Sequence, residues 1–264
     1  MKNECIPILG VRVSTVNMDL ALSQFETFLD NRGNAYICVA PAHSIMECVN
    51  DPDLYPVFNG ADMVTPDGMA VVWLLQLRGH RQVRRVYGPD LLQATCAYGL
   101  ERGWRHYFYG GAPGVAERLA EKLQEQFPGL QIAGTCSPPF GRPSAEEERA
   151  LLDQVNSSEA DIVWVGMSSP KQEVWMNAHL GQVHAPVMVG VGAAFDFLSG
   201  CKKQAPRWMQ RSGLEWLFRL LSEPRRLWPR YRHYPRFVWL ALREHIALKF
   251  AQNKENVSYT RLLR

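Results

Sequence analysis

The chain has 264 residues, 47% of them hydrophobic and 21% charged, which suits one large folded domain or one domain with an appendage and argues against disorder. Its six cysteines, at positions 5, 38, 48, 96, 136 and 201, include no C-x-x-C pair and no histidine at metal spacing, so neither zinc nor a disulfide framework is indicated and a reduced, cytosolic chain is expected. The net charge of +3 is unevenly spread: from Lys202 to Lys249 about 12 Lys or Arg stand against 3 acids, so the part before is net acidic and the C-terminal segment calls for an anionic partner.

The opening MKNECIPILG has a short apolar run broken by Pro7, too little for a signal peptide. No uncharged apolar stretch reaches the roughly 18 residues of a spanning helix. Alternation over Ile6 to Val13 predicts a strand, and helical spacing from an Asn17 cap predicts a helix to Leu29. A buried-type strand, AYICVAP, ends at Pro41, with a short helix to Val49 and another starting at Asp51. Asp51-Pro52-Asp53 has the look of a D-x-D metal clamp, but a proline flanked by acids is a common helix opening, and no metal is expected there.

ADMVTPDGMAVVW, residues 61–73, sets one carboxylate, Asp67, between Pro66 and Gly68 at a rigid break between two elements. Apolar neighbours on both sides would desolvate it, raise its pKa and suit it to proton transfer. A turn aspartate capping the helix from Met69 is the alternative reading of the same spacing. After that helix, Arg81, Arg84 and Arg85 precede a Gly-Pro turn and are either a phosphate clamp or a solvated loop.

Leu91 to Arg102 reads as helix, and the strand Arg105 to Tyr109 runs into Gly110 and Gly111 and an amphipathic helix to Phe127, an arrangement that can present amides and a helix dipole to phosphate. It lacks the full dinucleotide fingerprint and the ribose-binding acid, which disfavours an oxidoreductase. A strand Gln131 to Thr135, a Pro- and Gly-rich loop over 137–143 and a helix Ser144 to Ser157 follow. The strand DIVWV ends in a ligand-facing loop with Ser168, Lys171, Gln172 and Glu173, and the last core strand, Pro186 to Val191, turns out toward Asp196. Alternating strands and helices predict an α/β fold, a mostly parallel sheet with helices on both faces. Past residue 200 the chain becomes broken helices interleaving Arg207, Arg211, Arg219, Arg226 and Arg230 with tryptophans, which suits an anionic membrane surface; no nucleic-acid motif is present.

VTPDGMAVVW, RVYGPDLL, FYGGAPG, SPKQEVW, GVGAAFDFLSG and APRWMQRSGLEWLFRLLSEPRRLWPRY, in that order over nearly the whole chain, resemble the WecG/TagA/CpsF family of bacterial glycosyltransferases. The resemblance implies a Rossmann-like domain at 1–200 and a helical, membrane-contacting appendage at 201–264 that completes the site. It implies inverting, metal-independent transfer, without a cofactor, from a nucleotide-diphosphate sugar, usually a UDP-sugar, to a polyprenyl-diphosphate-linked sugar on the cytoplasmic membrane face. The family's catalytic base matches Asp67. Diphosphate or sugar contacts are expected from Arg85, Gly110, Gly111, Ser168, Lys171, Gln172, Glu173, Asp196, Arg207, Arg211 and Arg219. Where family members often carry Thr-x-Asn, this chain has Val39-Ala40-Pro41, so no role of that Thr or Asn carries over, and His43 becomes a second candidate base. A non-catalytic nucleotide- or lipid-binding regulator is the rival reading, and a homo-oligomer is compatible with the sequence.

Overall fold

The computed structural model describes residues 4–139, 141 and 143–262, with side chains as far as residue 251. Phe140 and Arg142 of the Pro- and Gly-rich loop lie outside the described residues. The chain runs β1 (Cys5–Ile8), β2 (Val11–Ser14), α1 (Met18–Asp30), β3 (Ala35–Ala40), α2 (Ala42–Asn50), α3 (Leu54–Asn59), β4 (Met63–Pro66), α4 (Met69–Leu77), α5 (Gly88–Gly99), β5 (Arg105–Gly110), α6 (Val115–Gln126), β6 (Gln131–Cys136), α7 (Ala145–Ser157), β7 (Ile162–Gly166), α8 (Lys171–Ala178), β8 (Val187–Gly190), α9 (Ala194–Leu198), α10 (Arg207–Arg211), α11 (Glu215–Ser222), α12 (Pro224–Tyr231) and α13 (Tyr234–Leu262).

Six strands form one sheet in the order β4-β3-β8-β7-β5-β6, and every neighbouring pair is parallel. The alternation of side chains along each strand divides the core in two. Tyr36, Cys38 and Ala40 of β3 join Val163 and Val165 of β7 on the face covered by α2, α3, α4, α8 and α13. Ile37 and Val39 join Trp164, Val187 and Val189 on the face covered by α1, α5, α6 and α9. The expected α/β architecture, with helices on both faces and a helical C-terminal end, is what the structure has.

The single strand expected over Ile6 to Val13 is two strands. The chain reverses at Leu9 and Gly10, whose φ values are 48° and 86°, and β1 pairs antiparallel with β2 outside the main sheet. Asn17 caps α1 by accepting from the Leu20 amide at 3.0 Å, and Ser144 with Glu147 closes a capping box on α7. Asp51 Oδ1 accepts from the Asp53 amide at 3.2 Å, just ahead of α3, as expected of a helix opening.

The C-terminal helices pack on the α2 and α4 side of the sheet. Phe237 and Ala241 of α13 are buried in that core, and Arg236 donates to Asn50 at 3.0 Å. Glu244 of α13 accepts from the Leu9 amide at 3.1 and 3.2 Å and from Arg78 at 2.6 Å, tying α13 to the β1–β2 hairpin and to the end of α4. Among the described residues no helix is long and apolar enough to cross a membrane.

Candidate active site

The ends of β3 and β4 face the C-terminal helices across a cavity of about 610 Å³, within the usual range for ligand sites. Asp67, His43, Arg85, Arg219 and Glu215 line it together with Trp73, Trp216, Trp228, Tyr231 and Tyr234. Asp67 follows β4, the edge strand, and its amide donates to Ala40 of β3 at 3.3 Å. Gly68 then takes φ 78°, a turn that a residue with a Cβ enters only with strain. No side chain caps α4, so the capping alternative for Asp67 is not realised. The segment before α5 runs alongside, with the Val86 amide on Pro66 O at 3.0 Å, and this brings Arg85 over the carboxylate.

Arg85 Nε donates to Asp67 Oδ1 at 2.9 Å, and its Nη2 donates to Glu215 Oε2 at 2.6 Å. Tyr87 donates to Glu215 Oε1 at 2.9 Å while its ring lies 3.9 Å under the Arg85 guanidinium. Burial holds the Asp67 pKa above the usual carboxylate value and outweighs the pull of Arg85; the second carboxylate, Glu215, pushes the same way. Of the three arginines of this segment only Arg85 serves the site. Arg84 spends its guanidinium on the carbonyls of Arg81 and Val83, and Arg81 is exposed.

His43, on α2, shares the cavity. Its Nδ1 is buried without a hydrogen-bond partner among the described residues, and its ring meets Tyr231 edge-on at 6.5 Å. Burial, with Arg230 and Arg219 adding to it, pushes its pKa down to about 3, so it is neutral at working pH and a weak base. Arg219 of α11 lies 5.4 Å over the Phe197 ring and makes no hydrogen bond or ion pair among the described residues. Arg230 of α12 donates to Ser169 O at 3.3 Å, which links α12 to the loop after β7. Trp216, Tyr231 and Tyr234 pack with centroids 5.0 to 6.2 Å apart and form an aromatic wall.

The other expected residues fall elsewhere. Arg207 is exposed and paired with Asp90 at 2.9 Å, and Arg211 is exposed; neither lines the cavity. Asp196 is held by Lys202 at 2.9 Å. Ser168, between β7 and α8, and Lys171, the first residue of α8, are exposed. A Cβ at Gly110 would stand 2.8 Å from the carbonyl carbon of Gly166, and Gly111 takes φ 79° with its amide donating to Gly166 O at 3.1 Å; neither lines the cavity. Gln172 is buried against Gly190 and Gly192, its Oε1 has no hydrogen-bond partner among the described residues, and its Nε2 donates to Glu173 at 3.0 Å.

Glu173 is wholly buried, and burial lifts its pKa to about 7. The folded state therefore holds this proton more tightly than the unfolded chain, so its stabilising effect is complete below the ordinary value near 4.5 and is lost as pH rises through 7. Glu173→Gln is expected to leave stability unchanged relative to the parent at pH 4 and to exceed it by about 3 kcal/mol at pH 9, measured by urea denaturation at both pH values. An equal difference at both would remove the charge as the cause.

Glu215, Tyr87, Arg230 and the aromatic wall were not singled out from sequence as site residues. Glu215 carried one legible signal, a lone acid inside the basic stretch between Lys202 and Arg219.

A buried carboxylate in a strand-end turn, faced by arginines in a ligand-sized cavity, is compatible with several transfer chemistries. The sequence pattern of the glycosyl transferase WecG/TagA/CpsF family matches residues 6–251. The chain belongs to this family. It is a WecG/TagA/CpsF glycosyltransferase, which sets aside the regulator reading. It is 32% identical over 221 residues, 84% of each chain, to an N-acetylglucosaminyldiphosphoundecaprenol N-acetyl-beta-D-mannosaminyltransferase of Bacillus spizizenii. To a protein of the same name in Bacillus subtilis it is 26% identical over 234 residues, 89% of each.

Proposed function

We propose that this glycosyltransferase moves a sugar, of the N-acetylmannosamine class, from a UDP-sugar to the sugar of a polyprenyl-diphosphate-linked acceptor, with inversion and without a metal, in cell-surface polymer synthesis. The observation that carries the reading is Asp67: a desolvated carboxylate at the end of β4, fixed by Arg85, on a cavity that the C-terminal helices complete.

The step is a single displacement. Asp67 takes the proton of the acceptor hydroxyl as its oxygen bonds to the anomeric carbon; the bond from that carbon to the diphosphate oxygen breaks, and its electron pair leaves with the nucleotide. The charge gained by the diphosphate falls to Arg219, with Arg230 on the neighbouring helix. The cavity's apolar side, with Met69, Trp73, Trp228 and Val238, suits the first units of a prenyl chain.

Around this side Trp228, Trp239, Val238, Leu242 and Ile246 are exposed, and Trp208 and Leu221 are exposed on the neighbouring helices. With the basic residues of α12 and α13 they fit residues 201–264 as an appendage that rests on the inner face of the cell membrane. The names of the two Bacillus relatives support the acceptor and sugar class.

The test is UDP release from UDP-N-acetylmannosamine in the presence of a short-chain prenyl-diphosphate N-acetylglucosamine, with the anomeric configuration of the product read by NMR. Retention of configuration, or no transfer with any UDP-sugar, would sink the reading. Transfer is expected to persist in excess EDTA; if chelation stops it and Mg²⁺ or Mn²⁺ restores it, Asp51 and Asp53 return as a metal clamp.

A further inference from the structure

Arg85 is held at two ends by carboxylates from distant parts of the chain. Asp67 comes from the end of β4 and takes Nε at 2.9 Å; Glu215 comes from the first turn of α11 and takes Nη2 at 2.6 Å. All three side chains are 10 to 15% exposed. Among the described residues Nη1 makes no hydrogen bond, so the guanidinium still has donors to offer. Glu215 is itself fixed by Tyr87 on its other oxygen. The start of α11 has little freedom to shift: Gly213 has φ 75°, and a Cβ there would stand 2.8 Å from the Trp73 ring. A planar fork pinned by two carboxylates has one orientation, whereas pinned by one it can turn about that contact.

We propose that Glu215 is a positioning residue: seated by α11, it locks Arg85 against Asp67, so the base is correctly set only while the C-terminal helices are docked on the sheet. The proposal rests on Asp67 being the base. Without Glu215 the Arg85 fork is free to close on Asp67 with both arms and shield the oxygen that must take the proton.

The groups facing Asp67 are Arg85 and Tyr87 from the segment before α5, Glu215 and Arg219 from α11, Tyr231 from α12, Tyr234 from α13 and His43 from α2. Of these Glu215 is the only other carboxylate. Its negative charge disfavours a second negative charge on Asp67, so removing it lowers the pH at which Asp67 becomes protonated.

The experiment compares Glu215→Gln, Glu215→Asp, Asp67→Asn and the Glu215→Gln/Asp67→Asn double variant in the full chain, with kcat and donor KM followed from pH 4.5 to 9 on a soluble acceptor analogue. Glu215→Gln is expected to lower kcat roughly ten-fold with little change in donor KM, and to move the acid limb of the profile to lower pH. Glu215→Asp keeps the charge and is expected to restore the acid limb. Since Glu215 acts through Asp67, the double variant is expected to be no slower than Asp67→Asn alone. Parental kcat and acid limb in Glu215→Gln, or losses that multiply in the double variant, would overturn the positioning role and leave Asp67 as base. Parental turnover in Asp67→Asn would overturn both. Should Glu215→Gln not fold, Tyr87→Phe, which frees Glu215 from its second anchor, is read by the same criteria: a lower kcat that vanishes on the Asp67→Asn background supports the role, and no change opposes it.

Discussion

Asp67→Asn is expected to cut turnover by roughly 10² or more while the protein stays folded and still binds its donor. Asparagine keeps the shape of the side chain and a hydrogen-bonding oxygen for Arg85, so the cavity keeps its form; what is lost is the site that takes the proton. Turnover at saturating substrate and donor affinity by calorimetry separate the two. In the parent enzyme, activity is expected to fall on the acid side as Asp67 protonates, at a pH above that of an ordinary carboxylate because burial raises it. His43 is not expected to substitute, because burial lowers its pKa to about 3 and keeps it neutral between pH 5 and 8. An Asp67→Asn enzyme with near-parental turnover would nonetheless transfer the role to His43, the other candidate base in the cavity.

Removal of the chain from about Lys202 onward is expected to abolish transfer, both on membranes and on a soluble acceptor analogue, and to release the protein from anionic vesicles. The truncation takes away Glu215, Arg219, Trp216, Tyr231 and Tyr234 from the cavity at one stroke. It also uncovers the α2 and α4 surface on which Phe237 and Ala241 are buried, so substitutions separate the two losses. Arg219→Ala is expected to lower turnover without affecting vesicle sedimentation. Replacing Trp208 and Trp239, 64% and 59% exposed and outside the cavity lining, by Ala is expected to weaken sedimentation while turnover on the soluble analogue is largely kept. Basic residues near an anionic surface are worth about 1 kcal/mol each, so added salt should deepen the second defect. Arg207→Ala is expected to change little, because the exposed pair with Asp90 is worth about 0 to 1 kcal/mol. Full turnover of the truncated protein on the soluble analogue would leave the segment an anchor only.

The centre of the main sheet was legible because strands such as AYICVA and IVWV are buried on both faces and read as unbroken apolar runs. The hairpin was not, since a reversal at Leu9 and Gly10 leaves the alternation of Ile6 to Val13 intact on either side. At the site, Asp67 was legible because Pro66 and Gly68 bracket it. The appendage arginines were not separable by sequence: Arg207 and Arg219 lie in one basic stretch, and only the fold shows one meeting Asp90 and the other the cavity. Glu215 and Tyr87 were out of reach for a different reason. Their meeting spans 128 residues and depends on how α11 docks, which no local pattern encodes.

The Leu9 amide finds its partner in Glu244, 235 residues later. During synthesis this gives the molecule a fixed order of completion. Every strand of the sheet has been made by Gly190, yet the amide at the hairpin's turn is still without its carboxylate, and Asp67 still stands on an open edge. Both are answered by helices made afterwards, so a nascent chain carries a finished sheet before it carries a finished catalyst. Until α11 and α13 arrive, a ribosome-bound chain of this protein has no walled cavity in which to hold a substrate.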